Sequence, residues 1–173
     1  MGETLVTITA IFLVAILMFV FPLLSVSERS DDISQLNIQT ATSQFVDNVR
    51  LTGKITPTDY SNFVQTLGAT GNTFNIDMEA KVLDDNPGSK PGGSGKDKIG
   101  ENVSYSTYTS QIEDVLNNGN DYKLKEGDII SVNVKNTNTT ISQTLRNFFY
   151  RLTGNSDATI VASSSGMVTV TGK

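Results

Sequence analysis

The sequence predicts an α+β protein: a long N-terminal transmembrane and amphipathic helix, then a small antiparallel β-sheet head packed by one or two helices. Three observations predict it. Residues 4–27 carry no ionisable side chain, a helical apolar stripe runs from Ile38 to Thr52, and from Phe74 apolar residues alternate with polar ones. A period near 3.6 followed by a period of 2 is the pattern of a helix that gives way to strands.

The first element is the 24-residue run Thr4–Ser27, in which Ala10–Phe21 are apolar without a break. A bilayer core of roughly 30 Å needs about 20 helical residues, so the run is long enough to cross once. Thr4, Thr7 and Thr9 can return their hydroxyls to the helix backbone, and Pro22 removes one backbone bond from it. A cleaved secretory signal is the rival reading, but Met1-Gly2-Glu3 holds no Lys or Arg and Ser25-Val26-Ser27 is a poor cleavage site. Residues 1–27 are therefore expected to be a retained single-pass anchor in contact with membrane lipid. The Thr-, Ser-, Asn- and Gly-rich remainder suits an extracytoplasmic C-terminal domain.

The stripe Ile38, Ala41, Phe45, Val49 and Thr52, widened by Leu36 and Val46, predicts an amphipathic helix over 28–55. It either continues the anchor or starts afresh at Ser30-Asp31-Asp32, and Gly53 is placed to end it. The head is expected to span 56–173. Thr56-Pro57 with Asp59 opens a short helix that Gly68 closes. Phe74 to Leu83 forms a half-buried strand, and Val103, Tyr105 and Thr107 resume the alternation. Residues 86–98 hold four glycines, two prolines and no apolar side chain, which predicts a flexible loop.

Farther along, Ser110-x-x-Glu113 has the form of a capping box for a helix ending near Gly119. A turn at Lys125–Asp128 leads into a strand with Ile130, Val132 and Val134 on one face. Thr140-x-x-Gln143 opens a helix with Ile141, Leu145, Phe148, Phe149 and Leu152 as its core stripe. Thr159–Val161 and Met167–Val170 flank Ser163–Gly166, the pattern of a terminal hairpin.

Composition excludes several functions. The chain has 173 residues with neither cysteine nor histidine, so disulfides, thiolate nucleophiles, the usual zinc sites and histidine-based triads are out of reach. All 13 basic residues follow residue 27 and face 17 acids there, a net charge of −4 that disfavours nucleic acid. Asp84-Asp85-Asn86 offers oxygen ligands but reads as a solvated strand end, and Tyr105, Tyr108, Tyr122 and Tyr150 as rings packed with wet hydroxyls. No catalytic residue, metal site or cofactor is expected.

Glu3, the run Leu5–Leu24, Pro22, the stripe Ile38–Val49 and the later strands together resemble type IV pilins and their pseudopilin and Tad-locus relatives. The resemblance is specific over roughly the first fifty residues. It implies a structural subunit or assembly factor of a surface pilus-like apparatus, not an enzyme, with copies of itself or other pilin-like subunits as partners. The assembly interface it implies is Glu3, Leu5, Ile8, Phe12, Ala15, Phe19 and Pro22. A membrane-anchored binding module is the alternative. Glu126–Ile130 also resembles the glycine–aspartate strand of membrane-anchored signal peptidases, but Ser104 and Ser106 lack that family's serine motif and Lys135 is expected to be exposed.

Overall fold

A computed structural model describes residues 2–84, 104–138, 144 and 161–173. Helix α1 (Gly2–Thr52) takes up 51 residues and passes through both Pro22 and Ser30-Asp31-Asp32 without a break. The second helix start is therefore not used. Gly53 ends α1 at φ +69°, giving its N–H to the Val49 carbonyl at 2.8 Å. A side chain there is excluded, because a Cβ would lie 2.1 Å from the Val170 carbonyl oxygen.

The apolar stripe packs as expected in its centre. Ile38, Ala41, Phe45, Val46 and Val49 are buried, joined by Ser34 and Thr42. Two residues assigned to the stripe are not. Leu36 is 64% exposed, since two helical steps from Ile38 turn it to the opposite side, and Thr52 is exposed at the helix end. A short strand β1 (Lys54–Ile55) leads into helix α2 (Pro57–Gly68). The Thr56 hydroxyl caps it, accepting from the Asp59 N–H at 3.0 Å. Helix α2 lies against α1, and the Phe45 and Phe63 rings stack with centroids 4.4 Å apart.

Strands β2 (Phe74–Leu83), β3 (Ser104–Tyr108), β5 (Ile129–Asn136) and β6 (Val161–Met167) form one antiparallel sheet in the order β3-β2-β5-β6. A second sheet pairs β1 with β4 (Tyr122–Lys123), two strands too short to show a period. In the main sheet Met78 opposes Val132, and Ala80 opposes Ile130. Those four, with Val134 and Ala162, form the buried inner face beneath α1.

Two expectations are corrected here. The terminal hairpin is absent: Ser163–Gly166 lie inside β6, paired with Ile130–Asn133 of β5. Gly166 lies where the Arg50 side chain crosses the strand, and a Cβ there, 2.3 Å from Arg50 Cδ, would push that side chain aside. Helix α3 (Thr109–Asn117) starts one residue before Ser110, with Tyr108 at the N-cap. Gln111 rather than Glu113 closes its first turn, accepting the Tyr108 N–H at 3.1 Å. Of the expected helix over 140–152 only Thr144 is described, and it is helical; the loop 86–98 lies outside the described residues.

Helix α1 and strand β6 run side by side in the same direction. The Gln35 amide takes both backbone groups of Val161, donating to its carbonyl at 2.7 Å and accepting from its N–H at 3.2 Å. Fifteen residues on, Arg50 donates to the Met167 carbonyl at 3.0 Å. Those fifteen helical steps cover about 22 Å, and the six strand steps from Val161 to Met167 about 20 Å, so the two elements stay in register. The chain end then returns across α1, where the Thr169 N–H and hydroxyl both reach the Arg50 carbonyl at 3.0 Å.

Tyr60 of α2 ties this layer to α3 by donating its hydroxyl to Glu113 at 2.5 Å. Burial, then the Glu113 hydrogen bond and charge, push the Tyr60 hydroxyl well above its ordinary value. A group held protonated in the fold stabilises it fully below about pH 10, and that contribution is lost as the pH rises further. Tyr60→Phe should therefore cost about 1 kcal/mol near pH 7 and lower the difference from wild type in alkaline unfolding curves above pH 10. Urea titrations at pH 7, 9 and 10.5 check both.

Candidate functional site

The most extensive exposed apolar surface among the described residues is the first half of α1. From Gly2 to Phe19 every residue is exposed, around the whole circumference of the helix. Leu5, Ile8, Phe12 and Phe19 are 68%, 68%, 69% and 73% exposed, and Ala15 and Pro22 are exposed as well. Such a surface is costly in water and matches either lipid or other apolar helices. Thr7 and Thr9 hide their hydroxyls by donating to the carbonyls of Glu3 and Leu5, both at 2.8 Å, as expected for threonines in an apolar medium. The helix is long and apolar enough to cross a membrane, and none of its most apolar eighteen residues is buried.

At about 100° per residue, Leu5, Ile8, Phe12, Ala15, Phe19 and Pro22 fall on one side of the helix. Glu3 does not join them. It projects from roughly the opposite side, so the seven expected residues form two faces rather than one. The register was readable in the spacing once the helix was known to be continuous.

Other candidates resolve into structural roles. Asp128 is fully buried, its carboxylate accepting the N–H groups of Leu83 at 2.8 Å and Lys125 at 2.7 Å, which holds the turn before β5. Ser106 donates to Glu79 at 2.6 Å, and Lys135 is exposed, so neither belongs to a serine–lysine pair. Burial raises the Tyr122 hydroxyl above its ordinary value, and its ring packs on the core. Tyr105 and Tyr108 are instead 50% and 59% exposed, while Tyr150, Asp85 and Asn86 lie outside the described residues.

The sequence reading missed a cleft of about 510 Å3 on the outer face of the main sheet. It forms where β3 ends at Tyr108 and the chain turns into α3. The Thr109 hydroxyl fixes that turn, accepting from the Met78 N–H at 2.6 Å and donating to the Met78 carbonyl at 3.2 Å. Asp77, Glu79, Ser131, Asn133 and Ser163 line the sheet side. Their strand register brings Glu79 beside Ser131, and Asp77, Asn133 and Ser163 into one row.

Compared with known proteins, the chain matches no protein-family model, no curated protein and no solved structure. The assignment of function therefore rests on the two surfaces just described.

The division of α1 into an exposed apolar half and a packed half makes a direct prediction. A chain starting at Ser30 keeps every buried residue of α1 and should stay in the supernatant, with the far-ultraviolet spectrum of a folded α+β head. The full chain should sediment with membranes and resist carbonate extraction. Fractionation of both proteins from the same cells checks this.

Proposed function

We propose that this chain is a structural subunit or assembly factor of a pilus-like surface apparatus, minor pilin- or pseudopilin-like, assembled through its N-terminal helix. One observation carries the reading: a single helix is apolar and exposed all round in its first half, and forms the core of a small α+β head in its second. Such a helix holds the head rigidly at one end while offering its other end to lipid or to neighbouring helices. The head stands on the extracytoplasmic side in this reading.

The two-faced arrangement of Glu3 and the Leu5–Pro22 side supports assembly over simple anchoring. An isologous pair needs only one self-complementary face, whereas an open array needs contacts on different sides of each subunit. In such an array the Glu3 carboxylate pairs with the terminal ammonium of a neighbouring chain, because a charge among apolar helices is tolerated only when paired. The second reading, an anchored extracytoplasmic binding module, draws on the cleft over β2 and β5.

Glu3 separates the two. Breaking one partner of a buried ion pair costs about 3–5 kcal/mol, and an exposed pair contributes roughly 0–1 kcal/mol. Glu3→Ala and Glu3→Gln should both sharply reduce the sheared or crosslinked surface material at matched total protein, with membrane insertion and head folding intact. Equal assembly by wild type and both variants would leave the binding module as the better reading.

A further inference from the structure

The cleft on the outer sheet face has a chemistry that selects its ligand. Its floor is the backbone at Met78 and Val132, whose side chains are turned into the core at 2% and 0% exposure. Two carboxylates face it, Asp77 and Glu79, and among the described residues no lysine or arginine lines it. Asp77 accepts from the Asn75 amide at 3.1 Å and Glu79 from Ser106 at 2.6 Å, each through one oxygen, and among the described residues the other oxygen of each carboxylate is left to accept. The side chains of Asn133, Ser163 and Ser110 make no hydrogen bond among the described residues, and they bring both donors and acceptors to the wall. Tyr108 lines the cleft and is 59% exposed.

Each ligand class can be set against that inventory. An anion meets two carboxylates and, among the described residues, no compensating cation. Most of the lining surface is apolar, but a purely apolar molecule would leave the acids and amides set among it without partners. A simple cation could take oxygens from Asp77, Glu79, Asn133 and the serines, but it would leave the Asn133 N–H donors and the apolar part of the lining unused. A neutral ring bearing several hydroxyls uses all of them: it donates to the carboxylates, exchanges hydrogen bonds with Asn133 and the serines, and lays a C–H face on the Tyr108 ring. The cleft volume lies within the roughly 300–1,000 Å3 of small-molecule sites.

We propose that this cleft is a binding site for neutral saccharides, a function of the head that stands whether or not the N-terminal helix assembles.

The test uses the full chain in lipid nanodiscs, because glycoside detergents would compete. Saturation-transfer NMR and titration with lactose, cellobiose and N,N′-diacetylchitobiose supply the neutral probes, with a sulfated disaccharide and tetralysine as charged ones. At least one neutral disaccharide should bind with a dissociation constant of roughly millimolar order. Asn133→Ala and Tyr108→Ala should each weaken it roughly five- to tenfold, while Tyr108→Phe, which keeps the ring, and Lys135→Ala, on the same face outside the cleft, should not. An unchanged amide fingerprint spectrum shows that each variant is folded. The proposal is overturned if no neutral probe binds at about 20 mM, if tetralysine or the sulfated sugar binds more tightly, or if folded Asn133→Ala and Tyr108→Ala bind like wild type.

Discussion

The contact of α1 with the inner face of the sheet is the one on which the rest of the molecule depends. Ile38, Phe45, Val46 and Val49 leave water only by meeting strands and α2, and each such burial contributes on the order of 1.5–3 kcal/mol. The strands in turn have no other cover on that side among the described residues. Gly53 closes the helix where the chain end comes back, and the Leu124 N–H reaches the Gly53 carbonyl at 2.7 Å. Head and helix are thus one folding unit, and the exposed half of α1 extends a rod whose base is fixed in a core.

The same helix also solves the problem of an open sheet edge. A strand with free backbone groups invites pairing with another chain, and β6 is a terminal strand of the sheet. Gln35 occupies both backbone groups of Val161, and Arg50 occupies the Met167 carbonyl. A neighbouring strand cannot add there without displacing α1. The backbone groups of this edge are thereby shielded from pairing with another chain.

Much of this was legible in the chain because the signals were local. The shift of period at Phe74, the Thr56-Pro57-Asp59 start of α2 and the Gly53 stop each act over a few residues, and each is found where it was expected. The failures have a shared cause. Ser163–Gly166 has a turn's composition, yet the glycine answers to Arg50, a residue 116 positions earlier, and the serines are simply the polar rows of a strand. Helix α3 begins at Thr109 because that hydroxyl hooks the β2 backbone, which no local pattern reveals. For the candidate sites the contrast is the same. The apolar helix and Glu3 are contiguous and were readable, whereas the cleft draws on four separate segments that only the strand register brings together.

The parallel course of α1 and β6 has a mechanical consequence. Tension applied between the start of α1 and the far end of the head would act along both elements at once. The Gln35 and Arg50 bonds, and the return of Thr169 over the end of α1, then lie across the sliding direction and share the load. They must yield together, whereas a joint pulled perpendicular to its contacts opens one bond at a time. Resistance to forced unfolding is a matter of the rate at which the fold opens, and a shear joint of this kind slows that rate without requiring a larger core.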